Sequence, residues 1–343
     1  MRCVGLDIGG ANVKAADNDG LAVTKPFAIW KEPDQLTTVL RDLLCHFPGA
    51  DAIAVTMTAE LADCFESKSQ GVDEILKAVE MASAGKPVFV WQTGSEFVSV
   101  EVAREFPLLV AAANWHALAS WAGRMTPQGL SILIDIGTTT TDIIPMENGH
   151  SMTEGLTDIE RLLSGELIYT GSSRTPVCAV TPTVTFRGQD CPLAAELFAT
   201  TQDVYLLLGE FAENPDDHDT ANGRPATIDA ACDRLARMLC CDSSEISKSE
   251  LTEIASQIAS SQRQAIGEAM RLVLGRYSTE CEKIIISGSG EFLAEAVIRE
   301  TVETSSVEVT RLSTVLSSDV AQAACAFAVA RLAHERLGEI FLL

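Results

Sequence analysis

The sequence predicts a two-lobed α/β protein assembled from two similar halves, and three stretches carry that prediction. Ser131 to Ile144 reads as strand, tight turn, strand, with Asp135-Ile136-Gly137 and four consecutive threonines, Thr138 to Thr141, at the turn. The N-terminus repeats the pattern, Val4 to Ala16 running strand, Asp7-Ile8-Gly9-Gly10-Ala11-Asn12, strand. Lys283 to Leu293 is a strand entering Ser287-Gly288-Ser289-Gly290 and then a helix. An acid beside a turn of glycines and hydroxyls can direct backbone N–H groups at phosphate oxygens while its carboxylate orients a metal ion or water. A glycine turn ahead of a helix lets backbone approach a ligand and aims the helix N-terminus at it. Any one of these is also what an ordinary hairpin or turn looks like. Two Asp-Ile-Gly turns about one small domain apart imply halves that face each other across a shared phosphate.

The remaining elements follow in order. Residues 2–29 form a three-stranded antiparallel meander with Asn18-Asp19-Gly20 as a hairpin turn. Gln35 to Phe47 places Leu36, Val39, Leu40, Leu43 and Leu44 at helical spacing, and Pro48-Gly49 ends it. Asp51 to Met57 is a buried strand, Val72 to Ala84 a helix, and Pro87 to Trp91 a strand. Leu108 to Ala119 is apolar around Asn114-Trp115-His116, and residues 123–129 read as the linker between halves. The N-terminal lobe is therefore placed at residues 1–125 and the C-terminal lobe at 130–317, with an irregular insertion at about 151–225. Within the insertion Pro192 to Leu208 reads as helix and 214–225 as an exposed loop. Arg224 to Cys240 and Glu250 to Arg276 are amphipathic helices. The alanine-rich closing helix, 318–338, is expected to pack back on the first lobe.

Bulk properties exclude several classes of function. At 343 residues the chain can bury two cores. A net charge of −23 without a basic stripe argues against nucleic acid and against anionic lipid. An acidic protein that binds phosphate must do so in a local pocket. The start meets Asp7 before any export-length apolar run, and no stretch approaches a membrane span, so a cytoplasmic protein is expected. The ten cysteines contain no Cys-x-x-Cys and read as small core hydrophobes in a reducing compartment.

The order of the three turns resembles the superfamily of actin, Hsp70 chaperones and sugar kinases. It implies a two-lobed actin-like (ribonuclease H-like, duplicated) ATPase fold. Leu6 to Asn12 and Asp135 to Asp142 look like its hydantoinase A/oxoprolinase branch. Thr56 to Asp63, Ala112 to Trp115, Tyr169 to Pro176, Glu196 to Tyr205 and Asp219 to Thr227 narrow the resemblance further. They are similar to the synthases of methanofuran-type cofactors, which join an aminomethylfuran diphosphate to the phenol of γ-glutamyltyramine, as found with tetrahydromethanopterin-linked one-carbon genes. Val13, where a threonine is usual, and Asn222, where an aspartate is usual, depart from that pattern.

The resemblance implies a transferase acting on a phosphorylated furan and a phenolic acceptor (γ-glutamyltyramine or a tyrosine-based analogue), with diphosphate released. Asp7 and Asp135 are assigned to magnesium, and Gly9, Gly10, Asn12, Lys14, Gly137, Thr138, Thr139, Thr140, Gly288, Ser289 and Gly290 to diphosphate or nucleotide phosphate. Thr58, Asn114, Arg174 and Arg224 are assigned to substrate. Glu60, which directly follows a strand end, is the first choice of base for the phenol, ahead of Asp63 and His116. Magnesium is the expected cofactor; ATP is not expected for the transferase. An ATP-dependent kinase or a hydantoinase-like amidohydrolase on the same fold is the alternative, and a non-catalytic nucleotide-binding actin relative is third. Neither nucleic acid nor membrane is an expected partner, and self-association into a homo-oligomer stays open.

Overall fold

The computed structural model describes residues 1–302 and 307–340. In the first lobe, strands β1 (Cys3–Ile8), β2 (Asn12–Asp17) and β3 (Ala22–Pro26) form the meander. Helix α1 (Leu36–Leu44) leads to β4 (Ala52–Met57), and α2 (Lys68–Ala82) leads to β5 (Val88–Trp91) and the short β6 (Phe97–Val98). Helices α3 (Val100–Glu105), α4 (Pro107–Val110) and α5 (Asn114–Ala122) follow. The sheet order is β3-β2-β1-β4-β5-β6, with β1, β4 and β5 parallel. Helix α2 begins four residues before the predicted Val72 because the Ser67 hydroxyl accepts the Gln70 N–H and starts the helix there.

The second lobe repeats the plan. It opens with β7 (Leu130–Ile136), β8 (Thr141–Glu147), β9 (His150–Ser151), α6 (Asp158–Ser164) and β10 (Leu167–Ile168). An excursion through α7 (Val177–Val180), β11 (Thr183–Phe186), β12 (Gln189–Pro192), α8 (Thr201–Leu208), α9 (Ile228–Met238) and α10 (Lys248–Leu274) returns to β13 (Cys281–Ser287). Then come α11 (Glu291–Thr301), β14 (Glu308–Arg311), α12 (Leu312–Val315), α13 (Ser318–Gln322) and α14 (Ala324–Ile340). The second sheet runs β10-β8-β7-β13-β14, again an antiparallel hairpin flanked by parallel strands. In the first sheet Asp7 sits opposite Lys14 and beside Thr56; in the second Asp135 sits opposite Asp142 and beside Ser287. The two halves are thus alike at the level of residue register.

The helix expected over Pro192 to Leu208 exists only from Thr201. Pro192 closes the β11–β12 hairpin opposite Thr183, and the helix starts where the Thr200 N–H donates to Asp203 Oδ2 at 3.0 Å. The closing helix is broken at Ala323 into α13 and α14. Val329, Leu332 and Ala333 of α14 bury against Cys3, Ala52 and Ala54 of the first sheet, small side chains that allow close packing. No helix among the described residues is long and apolar enough to cross a membrane.

Candidate active site

A cleft of about 1190 Å³ opens between the two sheets and is lined from both. It brings together Asp7, Gly9, Gly10, Asn12, Lys14, Thr58, Glu60 and Asn114 with Asp135, Gly137, Thr138, Thr139, Thr140, Arg174, Gly288 and Ser289. Three predicted residues fall elsewhere. Arg224 lies half-exposed in its loop and pairs with Asp233 at 2.6 Å, outside the cleft. Gly290 caps α11, and its N–H is spent on the Ile136 carbonyl at 2.9 Å. His116, the third choice of base, is buried beneath Trp91, whose indole N–H donates to His116 Nδ1 at 3.2 Å. Burial lowers its pKa to about 4, so it is a neutral core histidine.

The two Asp-Ile-Gly turns close in the same way. Gly9 N–H donates to the Asn12 carbonyl at 3.0 Å, and Gly137 N–H to the Thr140 carbonyl at 2.9 Å. The second turn is braced from behind: Ser172 N–H donates to the Gly137 carbonyl, and Ser173 and Arg174 N–H both donate to the Thr138 carbonyl. A Cβ on Gly171 would stand 2.5 Å from backbone atoms of Thr138 and Thr139, so only glycine allows this approach. Gly288, at φ +89°, packs equally closely on the Ile136 carbonyl. Val13, the departure from the family pattern, is fully buried in the first core among Ile8 and its neighbours. A threonine there would bury its hydroxyl rather than present it to the cleft.

Charge in the cleft is uneven. Seven carboxylates (Asp7, Glu60, Asp63, Asp135, Asp142, Asp158, Glu291) and three cations (Lys14, Arg161, Arg174) line it. Burial raises the pKa of Asp7, with Lys14 opposing, and leaves its Oδ1 without a hydrogen-bond partner. Asp135 is pushed up to about 7 by burial, reinforced by the charge of Asp142 and offset by Lys14. Burial likewise pushes Glu60 up to about 7; its Oε2 has no partner, and Asp158 and Lys68 act on it in opposite senses.

Several residues in the cleft carry no sequence signal. Arg161, 1% exposed, donates to Asp142 Oδ1 at 2.6 Å and stacks on Trp115 at 4.0 Å. Its partner lies on a strand in register with the second turn, a relation invisible in a helix of mixed polarity. Two contacts join the lobes at the rim: Lys68 with Asp158 at 2.7 Å, and the Arg174 guanidinium over the Trp30 ring at 4.8 Å. The acidic loop at 214–225 does not line the main cleft. Asn214 and Asp217 border a smaller cavity of about 270 Å³ that shares only Thr138 and Ser289 with it. Asn222 Oδ1 accepts from the buried Arg234 at 3.3 Å, next to the Arg234–Asp203 pair, so this second departure serves the loop's own structure.

Among the described residues, no three His, Cys, Asp or Glu side chains are grouped as a self-sufficient metal site. Magnesium is commonly held by one or two carboxylates together with substrate phosphates and water. The unpartnered Asp7 Oδ1 and the buried Asp135 carboxylate supply oxygen donors of the right kind.

Comparison with known proteins agrees with this architecture. The family model described as hydantoinase/oxoprolinase matches residues 51–336. A curated protein of Methanocaldococcus jannaschii, (4-{4-[2-(gamma-L-glutamylamino)ethyl]phenoxymethyl}furan-2-yl)methanamine synthase, is 33% identical over 337 residues, covering 97% of this chain and 98% of its own. A protein of the same name from Methanococcus vannielii is 32% identical over 206 residues, 60% of this chain and 91% of its own. Among solved structures, a ROK family glucokinase from Streptomyces griseus superposes with TM-score 0.51 at 14% identity, covering 98% of this chain and all of that one. An acetone carboxylase superposes with TM-score 0.53 at 9% identity, covering 88% and 67%. At such identities these structures speak for the fold alone, the actin-like one.

Proposed function

The chain belongs to the hydantoinase/oxoprolinase family, and from that premise we propose that it is a methanofuran-type synthase that transfers a furfuryl group from a diphosphate to a phenol. The single observation that carries the proposal is the meeting of two matched Asp-Ile-Gly turns and the buried carboxyl of Glu60 in one cleft. The donor is an aminomethylfuran diphosphate; the acceptor is the phenol of γ-glutamyltyramine or of a tyrosine-based analogue.

In the reaction the bond between the furfuryl carbon and the diphosphate oxygen breaks, and its electron pair leaves with the diphosphate. The phenol oxygen forms the new bond to that carbon, and its proton passes to Glu60. Because the furan delocalises positive charge, bond breaking runs ahead of attack, and the protein's task is to hold the leaving group and align the phenol. Amides and hydroxyls at Gly10, Asn12 and Thr138 to Thr140 receive the diphosphate, with Lys14 as a counter-charge; the Gly9 N–H is spent closing its own turn on the Asn12 carbonyl. Asp7 and Asp135 would hold magnesium, which when bound supplies positive charge against the leaving diphosphate.

Glu60 must be ionised to take the proton. With its pKa near 7, the base form is lost as pH falls through about 7, and the rate falls with it. A phenol of ordinary pKa about 10 would not ionise unaided, so its proton moves as the carbon–oxygen bond forms.

The test is to incubate the purified chain with synthetic aminomethylfuran diphosphate, γ-glutamyltyramine and magnesium. The expected products are the aryl ether, by mass spectrometry, and an equal amount of diphosphate. ADP formation from ATP without any ether would instead favour a kinase or amidohydrolase.

A further inference from the structure

Of the cations that line the cleft, one is ion-paired and one lies across the strand from an aspartate whose charge it offsets. Arg161 is bonded to Asp142, and Lys14 stands opposite Asp7 and offsets its charge. Arg174 is different: among the described residues no carboxylate lies within ion-pair reach of its guanidinium, although the cleft is rich in them. Its side-chain contact is the face of Trp30. That contact crosses the cleft, and both partners are anchored to the phosphate turns. Arg174 N–H donates to the Thr138 carbonyl at 2.8 Å in the second turn. Ile29, the neighbour of Trp30, donates its N–H to the Gly10 carbonyl at 3.1 Å in the first. The stack therefore spans the gap between the two turns, one end rooted in each.

We propose that Trp30 and Arg174 form a two-lobed clasp over the leaving diphosphate, Arg174 binding its oxygens and Trp30 positioning the guanidinium. This rests on the donor being a diphosphate, as proposed above. A guanidinium stacked on an indole keeps its N–H edge free for anionic oxygens, and its fork suits two of them at once. The acidic cleft needs such a counter-charge most as the carbon–oxygen bond breaks and negative charge gathers on the departing group. Because its two members sit on opposite lobes, the clasp holds the diphosphate from both sides of the cleft.

The test uses the full chain with inorganic pyrophosphate and magnesium as the probe, read by calorimetry, alongside ether formation with the complete substrates. R174A is expected to weaken pyrophosphate binding roughly 10- to 100-fold, the range for losing charge-assisted hydrogen bonds. R174K should recover little of it, since an ammonium cannot form the fork. W30A should weaken binding several-fold, whereas W30F, which keeps an aromatic face, should restore most of it. The acceptor KM should not move in any of the four. Pyrophosphate should change the wild-type tryptophan fluorescence, and W30F should abolish most of that change. Wild-type pyrophosphate affinity in a folded R174A that still forms ether would overturn the clasp alone. So would a defect confined to the acceptor KM. A wild-type chain that neither binds pyrophosphate nor forms ether would overturn the clasp together with the diphosphate reading beneath it.

Discussion

The two Asp-Ile-Gly turns are built alike and charged differently. Each is closed by a glycine N–H on the carbonyl three residues later, and each holds its aspartate at the floor of the cleft. Opposite Asp7 stands Lys14; opposite Asp135, in the same register, stands Asp142. Burial raises the pKa of both; Lys14 opposes that rise at Asp7, while at Asp135 Asp142 adds to it and the value reaches about 7. The acid at 142 in turn requires the buried Arg161, which the first lobe has no need of. Both turns are braced by backbone hydrogen bonds, the first from Phe27 and Ile29 and the second from Ser172 to Arg174, but the space around their glycines differs. A Cβ on Gly10 would meet nothing within 4 Å, whereas Gly171 and Gly288 press on the backbone of the second turn. The two halves keep the same turn shape and differ opposite each aspartate: a cation opposes the effect of burial on Asp7, and an acid adds to it on Asp135.

Several measurements can break or sharpen that contrast. The largest effect should come from the aspartates themselves: D7A and D135A, each still folded, are expected to lower the rate of ether formation by roughly 10²–10³-fold, the scale for losing a group that stabilises developing charge. If either kept the wild-type rate, the turns would not share one ligand. Next is the difference in the space around the glycines. G171A forces a Cβ onto backbone atoms and should cost about 1–3 kcal/mol, lowering Tm by roughly 3 to 10 °C. G10A, with open space around it, should leave Tm within about 1 °C while still weakening pyrophosphate binding. Equal Tm losses would show the glycines to be equally crowded.

Charge differences should appear in the pH profile. Lys14 lowers the proton affinity of both aspartates, so K14M should move the acid limb of kcat to higher pH. An unmoved limb would assign it to Glu60 alone. The smallest effect is on stability without magnesium. Asp135 and Glu60 have folded-state pKa values raised to about 7, so their contribution to stability is fully present below the unfolded value near 4 and is lost as pH rises through about 7. D135N and E60Q, which cannot ionise, should therefore raise Tm by roughly 2 to 5 °C at pH 8 and by much less at pH 5. Thermal melts at the two pH values decide this.

Much of the fold was legible because local chemistry and pattern agree over long stretches. The hairpins, the Ser-Gly-Ser-Gly turn and the helices near 36–44, 228–238 and 248–274 all follow from apolar spacing and turn residues. Pro192 to Leu208 misled because its first half is apolar at helical spacing, while the helix start is set by Asp203, held in turn by Arg234 from another helix. Arg224 misled for a similar reason: a loop arginine has the same local context whether it meets a substrate or, as here, Asp233.

From residue order alone came the twofold plan, the pair of acid-bearing turns and Glu60 at a strand end, because each is written in contiguous residues whose chemistry needs no distant partner. What only the folded molecule decided is who faces whom: Lys14 or Asp142 across from an aspartate, Arg161 under Trp115, Trp30 against Arg174 over the gap. Proton affinity and ligand grip depend on charges and burial a few ångströms away. Those distances are set by strand register and lobe packing, which bring together residues as far apart in sequence as Trp30 and Arg174.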